Sequence, residues 1–262
     1  MSGLPIRPRC RVLLDNDWAG DPDGLVALAH HLLSPANRVD AVTSTGLDPK
    51  FGSPRSTPAD GAEVARELVG LLGAEVAVHA DRPAIIVDTA LADDPLPLYV
   101  VCGGPLTNVA AAFDLEPSIA DRMTLVWIGG SLEPEVAEYN RDTDSEAART
   151  VLDHPGLEIL QFPLETYRRC AVSVAELEHR IGGAGELGAW LWRQFVDLPV
   201  PDFVELGEVW PLGDSPPVLV TALDDVTLTW EVAGEHRRVC TGLDVRLLLG
   251  DLFAKVGLHG RR

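Results

Sequence analysis

The chain has 262 residues, enough for one large α/β domain that buries a sizeable core without disulfide or metal staples. Its 40 Asp and Glu against 21 Lys and Arg, a formal net charge of -19, argue against nucleic acid or an anionic membrane as partner, because phosphate contacts need surplus cations; a cation or a small neutral ligand fits better. Lysine is confined to Lys50 and Lys255, the four cysteines (Cys10, Cys102, Cys170, Cys240) form no CxxC pair, and no apolar run suits a signal peptide or a membrane span, so reduced thiols in a soluble, cytoplasmic protein are expected.

Apolar runs of four to six residues alternate with helix-like segments, the pattern of a mostly parallel sheet covered on both faces. In chain order the pattern predicts a strand over 10–14, a helix over 24–33, a strand over 39–45, and a helix over 58–72 capped by Thr57 and stopped by Gly73. A strand over 98–102, a helix over 106–113, a strand over 124–128, a helix over 145–152 and a strand over 159–162 follow. Beyond about residue 165 the alternation changes: 174–196 reads as helical and rich in Trp and Leu, 218–223 as a strand, and 225–239 as a hairpin turning near Gly234. The expected architecture is a single α/β domain over residues 1–262, doubly wound, with a mostly parallel sheet, helices on both faces and a helical cap at 167–207 over the site.

In doubly wound sheets ligands bind at the carboxyl ends of the strands, so polar residues directly after a buried strand stand where chemistry occurs. The stretch Asp15-Asn16-Asp17-Trp18-Ala19-Gly20-Asp21-Pro22-Asp23 follows the apolar strand RVLL directly. Four carboxylates within nine residues repel one another unless a cation sits among them, and oxygen-only ligands favour Ca²⁺ or Mg²⁺ over zinc. A plainer reading has the aspartates capping the next helix, where its dipole and orphan amides favour them; that accounts for one or two, not four. An EF-hand loop is a rival, but no Glu stands at the twelfth position and the loop follows a strand.

The segment DNDWAGDPDGLVAL (15–28) resembles the inosine-uridine nucleoside hydrolase family, whose N-terminal motif is DxDxGxDDA after a buried strand; here it is longer by one or two residues. Later segments match the family in the same order. Gly104-Pro105-Leu106-Thr107-Asn108, preceded by LYVVCG, is similar to its GPLTN signature, and Trp127-Ile128-Gly129-Gly130 to its MGG turn. Ala137-Glu138-Tyr139-Asn140 and Asp144-Ser145-Glu146-Ala147-Ala148 resemble its AEFN and DPEAA segments. Trp210-Pro211-Leu212-Gly213-Asp214 resembles the segment with a His-Asp pair. The resemblance covers most of residues 11–165 and the stretch around 214.

The resemblance implies calcium-dependent hydrolysis of the N-glycosidic bond of a nucleoside or related ribosyl compound, by a metal-bound water that an aspartate activates against an oxocarbenium-like anomeric carbon. By that resemblance Asp17 is the general base and a metal ligand, and Asp23, Asp214 and the Gly103 carbonyl complete the Ca²⁺ shell. Asp21 meets a ribose hydroxyl or the metal, while Glu138 and Asn140 bind ribose hydroxyls from the opposite side. Trp18, inside the acidic loop, and Tyr139 are further substrate contacts. Trp190, Trp192 and Trp210 belong to the cap or its return, where aromatic faces suit a planar aglycone, although Trp190 and Trp192 also suit packing of the cap helix. The partner implied is a small ribosyl substrate, and the assembly a homodimer or homotetramer.

Two alignments of the first loop stay open: Pro22 is an insertion and Asp21 and Asp23 replace the family's adjacent pair, or Gly24 stands at a ligand position. Three departures concern the substrate. Gly46-Leu47 replaces a Gly-Asn step, SLEPEVAEYN lacks the ribose-binding Asn after the glycine turn, and Gly213 replaces the histidine that often protonates the departing base. His30 and His31 read as surface and packing residues of the first helix, and His79 as a structural residue at a strand end. Leaving-group protonation then falls to Tyr139, Tyr167, a cap carboxylate or solvent. Arg141, Arg168 and Arg169 lie near the matched motifs, as surface residues or as contacts to an anionic substituent. Together these losses point away from inosine or uridine. Two alternatives stand beside this reading: a hydrolase of another ribosyl or glycosyl conjugate, and a catalytically weak calcium-containing ribose- or nucleoside-binding protein.

Overall fold

The computed structural model describes residues 4–51, 53–200, 206–224 and 226–261. In chain order its strands are β1 Cys10–Asn16, β2 Asn37–Ser44, β3 Ala77–Ala80, β4 Leu98–Cys102, β5 Thr124–Ile128, β6 Glu158–Phe162, β7 Ala171–Ser173, β8 Val209–Pro211, β9 Thr229–Val232 and β10 Arg237–Gly242. The α-helices are α1 Asp23–Leu32, α2 Pro58–Leu71, α3 Pro83–Leu91, α4 Thr107–Leu115, α5 Tyr139–Thr143, α6 Ser145–Leu152, α7 Leu164–Tyr167, α8 Val174–Leu177, α9 Gly185–Val196, α10 Pro217–Thr221 and α11 Val245–His259.

Eight strands form one sheet in the order β3-β2-β1-β4-β5-β6-β10-β9, parallel throughout except for the antiparallel β9–β10 pair. Side chains alternate across it, as the pleat requires. Leu13, Val100, Leu125, Trp127 and Ile159 pack beneath α3, α4 and α6, against Ile86, Val109, Phe113 and Val151. Val12, Leu14, Val101, Val126 and Leu160 face the other way, against Leu25 and Leu28 of α1, Leu68 of α2 and Leu252 of α11. The expected doubly wound α/β sheet with helices on both faces is therefore present. Strand order runs outward in both directions from the adjacent β1 and β4, which makes their carboxyl ends the crevice where such sheets bind ligands.

Local signals explain most elements. Thr57 and Asp60 close a reciprocal capping box on α2, Pro58 enters its first turn, and Gly73, at φ +61, ends it. The hairpin expected around Gly234 is β9–β10; residue 225, the start of that expectation, lies outside the described residues.

Other expectations need correction. The strand expected over 218–223 is helix α10, opened by Pro216 and Pro217, whose fixed φ suits a first helical turn and whose missing N–H groups would spoil a ladder. The single helix expected over 174–196 is two, α8 and α9, separated by a wide turn at Glu178–Gly182 and by Gly185 at φ +73. At that break Gly185 meets Gly260, beyond α11, so closely that a Cβ would lie 2.8 Å from its Cα. His30 and His31 are fully buried rather than superficial: His30 Nε2 lies 2.8 Å from Asp251 of α11, and His31 Nδ1 lies 3.1 Å from Asn37. All four cysteines are buried and none forms a disulfide.

Candidate active site

A cavity of about 540 Å³ opens at the carboxyl ends of β1, β4 and β5. Its lining includes Asp17, Asp21, Asp23, Gly103, Glu138, Tyr139, Asn140 and Asp214. Eight of the nine residues proposed from sequence for the site thus meet in one place, although they come from four separated stretches of chain.

Two members of the acidic loop are placed elsewhere. Trp18 is a correction: it is 3 % exposed, packs in the core on the α1 side, and donates its indole N–H to the Thr43 carbonyl at 2.7 Å. It does not line the cavity among the described residues. Asp15 is the penultimate residue of β1, between β2 and β4, and its carboxylate is buried on the Leu13 side of the sheet, beneath α4. It accepts from Thr43 Oγ1 at 2.7 Å and from Asn108 Nδ2 at 2.8 Å, which ties β1 to β2 and to the first turn of α4. Burial raises its pKa to about 6, against those hydrogen bonds. The four carboxylates of the loop thus divide into one framework residue and three cavity residues.

Each cavity carboxylate has a donor from a distant element. Tyr139 Oη donates to Asp17 Oδ2 at 3.0 Å, and the Trp210 indole N–H to Asp21 Oδ1 at 2.9 Å. The Asp214 backbone N–H donates to Asp23 Oδ2 at 2.9 Å, and Asn16 Nδ2 to Asp214 Oδ2 at 2.8 Å. Burial, then repulsion from Asp214, holds Asp17 well above the ordinary carboxylate range. Asp23 is held there by burial and by repulsion from Asp214 and Asp21. Asp214 is pushed up to about 7, chiefly by burial, with the Asn16 hydrogen bond opposing and Asp21 and Glu138 adding repulsion.

Glu138 is a hub. Its side chain accepts from the backbone N–H of Gly130 at 2.6 Å, Arg141 at 2.9 Å and Asn140 at 3.2 Å, and from Tyr167 Oη at 3.0 Å. It therefore caps α5, fixes the glycine turn after β5, where Gly130 adopts φ +71, and anchors α7. Burial still raises its pKa, with those four bonds opposing. Asn140 spends both amide hydrogens on the carbonyls of Gly103 at 2.8 Å and Ile128 at 2.9 Å, tying the ends of β4 and β5 together. Its carbonyl oxygen is the atom left for a ligand.

The individual residues of the outer apolar lining were not named from sequence, although most fall in the segment expected as the cap. Leu198, Pro199, Val200, Leu206 and Val209 form an apolar wall, and Leu47 and Gly213 stand at two of the altered positions. Residues 201–205, part of the expected cap, lie outside the described residues. Trp210 lines the cavity, braced edge-on by Phe195 of α9 at 5.4 Å between ring centroids. Trp190 is buried in the core and Trp192 stacks on Phe195, so both pack α9. Tyr167 fills the space beside Gly213, where an added Cβ would lie 3.1 Å from its ring. Arg141 binds Asp142 and the carbonyls of Pro134 and Val136, and Arg169 the carbonyl of Thr241.

Fit to a cation divides into donor chemistry and spacing. Three enclosed carboxylates that raise one another's pKa, beside a backbone carbonyl, make a hard, all-oxygen donor set suited to Ca²⁺. Among the described residues, however, no group of three His, Cys, Asp or Glu side chains stands at the spacing of a closed coordination shell. The Asn16 amide stands among these residues and engages Asp214 at 2.8 Å; a Cβ on Gly24 or Gly103 would lie 2.6 Å from the same amide nitrogen.

The fold and cavity define an open α/β protein with an acidic, small-molecule-sized site at its topological switch point. The family model for inosine-uridine preferring nucleoside hydrolases matches residues 46–246, and the chain belongs to that family. The match begins after the acidic loop. A probable ribonucleoside hydrolase of Dictyostelium discoideum is 35% identical over 85 residues, 31% of this chain and 25% of the relative. An inosine-uridine preferring nucleoside hydrolase of Leishmania major is 26% identical over 152 residues, 56% of this chain and 48% of the relative. The chain thus spans about half or less of the length of these curated relatives. Among solved structures, an inosine-guanosine nucleoside hydrolase superposes with TM-score 0.75 at 18% identity, over 94% of this chain and 98% of that one. A Bacillus anthracis inosine-uridine preferring nucleoside hydrolase does so with TM-score 0.69 at 17% identity, over 95% and 99%. These likenesses carry the fold.

Proposed function

We propose that the protein hydrolyses the N-glycosidic bond of a nucleoside or related ribosyl compound. The observation that carries this reading is the convergence of Asp17, Asp21, Asp23, Gly103, Asn140 and Asp214 in one cavity at the switch point, in a chain of this family. Asp17, Asp23, Asp214 and the Gly103 carbonyl would hold Ca²⁺. When bound, such an ion lowers the pKa of water and offsets the carboxylate repulsion.

Asp17 takes the proton of the attacking water, oriented by the Tyr139 hydroxyl on its second oxygen. Asp21, held by Trp210, accepts from a ribose hydroxyl, and the Asn140 carbonyl oxygen accepts from another. Glu138 acts mainly through what it positions: the glycine turn, Asn140 and Tyr167. Of the segment expected as the cap, Tyr167, residues 198–200 and Leu206 border the cavity and cover the substrate.

A reducing-sugar assay across a nucleoside and riboside panel tests the reading. Asp17→Asn should abolish ribose release while the melting temperature holds; unchanged turnover would remove Asp17 from the mechanism. One observation favours a second reading, that of a ribose-binding protein: Asn16 already supplies Asp214 with a donor. On that reading calorimetry detects riboside binding while ribose release stays at background.

A further inference from the structure

Five carboxylates line the cavity: Asp17, Asp21, Asp23, Glu138 and Asp214. Among the described residues no His, Lys or Arg does, and residues 201–205, Pro-Asp-Phe-Val-Glu, contain none in their sequence. The two tyrosine hydroxyls that reach the cavity direct their protons to carboxylates, Tyr139 to Asp17 and Tyr167 to Glu138, each at 3.0 Å. The Trp210 N–H is turned to Asp21 in the same way. Ser53 Oγ donates to the Arg55 carbonyl at 2.9 Å and the Asn140 amide to the carbonyls of Gly103 and Ile128, while Leu47, Leu198, Val200 and Val209 are apolar.

A neutral purine or pyrimidine leaves an anomeric carbon as an anion unless a proton reaches it. Here the donors in view are already committed, and the five carboxylates, whose charge a bound Ca²⁺ would offset only in part, oppose negative charge growing on the departing ring. A ring whose glycosidic nitrogen is already quaternary reverses both effects. Its positive charge is attracted before reaction, an aromatic wall residue such as Trp210 suits a cation, and the ring departs neutral.

We propose that the substrate of this site is a cationic N-riboside, of the ribosyl-pyridinium class, rather than a neutral nucleoside; this rests on the hydrolase reading above. In the reaction the water oxygen bonds to the anomeric carbon, and the electron pair of the breaking C–N bond returns to the ring nitrogen. One water proton passes to Asp17 and on to solvent. The products are ribose, a neutral pyridine and one proton.

The test is steady-state kinetics of the full chain with Ca²⁺ on 1-(β-D-ribofuranosyl)nicotinamide, inosine, uridine and 4-nitrophenyl β-D-ribofuranoside. The pyridinium riboside should exceed inosine and uridine in kcat/KM by roughly 100-fold or more, the low end of what a positioned general acid supplies to a substrate that needs one. Because pyridinium ribosides are also intrinsically reactive, charge is read separately. The cation 1-methylnicotinamide should inhibit cleavage of the nitrophenyl riboside roughly tenfold more strongly than neutral nicotinamide. A smaller preference, or equal inhibition by the two rings, overturns the inference and leaves the hydrolase reading standing. If none of the four is cleaved, not even the nitrophenyl riboside, whose leaving group needs no acid, the hydrolase reading fails and this inference with it.

Discussion

Replacing Tyr139 by Phe removes one oxygen atom and leaves the ring in place. That oxygen donates to Asp17 Oδ2 at 3.0 Å and accepts from the Asp48 backbone N–H at 3.3 Å. A hydrogen bond to a charged group contributes about 1.5–3 kcal/mol, and each ~1.4 kcal/mol is tenfold in rate, so loss of orientation at Asp17 should lower kcat/KM by about 10- to 100-fold. The Tyr139 bond also opposes the rise in the pKa of Asp17, so its removal moves the acid limb of the pH–rate profile to higher pH. The Asp48 amide lies in a partly exposed loop and can turn to water, so the melting temperature should change little. The assay is kcat/KM from pH 5 to 9 on a responsive riboside, with a thermal melt as control. An unchanged rate with an unmoved acid limb would refute the role given to Tyr139 and weaken that of Asp17.

Three further outcomes follow from the same geometry. Asp15→Ala should destabilise the fold by about 2 kcal/mol in denaturant melts, because Thr43 Oγ1 and Asn108 Nδ2 lose their shortest acceptor and keep only the longer bonds to the Leu14 and Ser44 carbonyls, whereas Asp15→Asn should cost less. Asp15, Asp21 and Asp214 have pKa values raised to about 6, about 6 and about 7, and Asp17 and Asp23 are raised as well. Between about pH 4 and pH 7 these five groups bind more protons in the native chain than in the unfolded one and outnumber His30, His31 and His79, whose lowered pKa acts the opposite way, so the melting temperature without metal should fall as pH rises through that window. Added Ca²⁺ should raise the melting temperature more at pH 8 than at pH 5, since its ligands must be deprotonated, and equal gains would count against a carboxylate metal site. Gly103→Ala should impair both metal response and turnover, because its Cβ would lie 2.6 Å from Asn16 Nδ2 and 2.9 Å from Asp214 Oδ2.

The inner strands were legible because a parallel strand buried on both faces leaves an uninterrupted apolar run, so β4 and β5 fall at the expected residues. The site residues were legible because such sheets gather polar motifs at strand ends. Three kinds of feature were not. α10 and the break between α8 and α9 depend on Pro and Gly within apolar stretches, where periodicity alone does not separate strand from helix. Trp18 looked like a site residue because of its neighbours, but its side chain turns into the core while the loop around it turns outward. The tethers of Asp21 to Trp210 and of Asp214 to Asn16 join residues nearly two hundred positions apart, and local sequence carries no trace of such a pairing.

Those tethers also show why a count of acidic residues is a poor guide to which of them act. Asp15 and Glu138 are surrounded by donors that the fold itself supplies, two on Asp15 Oδ1 and four across the Glu138 carboxylate. Such carboxylates are satisfied without a ligand, and their removal should be felt first as lost stability. Asp17, Asp23 and Asp214 have fewer donors and repel one another, so their ionised forms gain most from something that enters the cavity. A bound cation offsets that repulsion, and a positively charged substrate ring offsets more of it. The same imbalance that weakens the empty site at neutral pH therefore supplies its affinity. Framework and chemistry are separated here by the number of hydrogen-bond donors on each carboxylate, a property of the folded chain rather than of residue type.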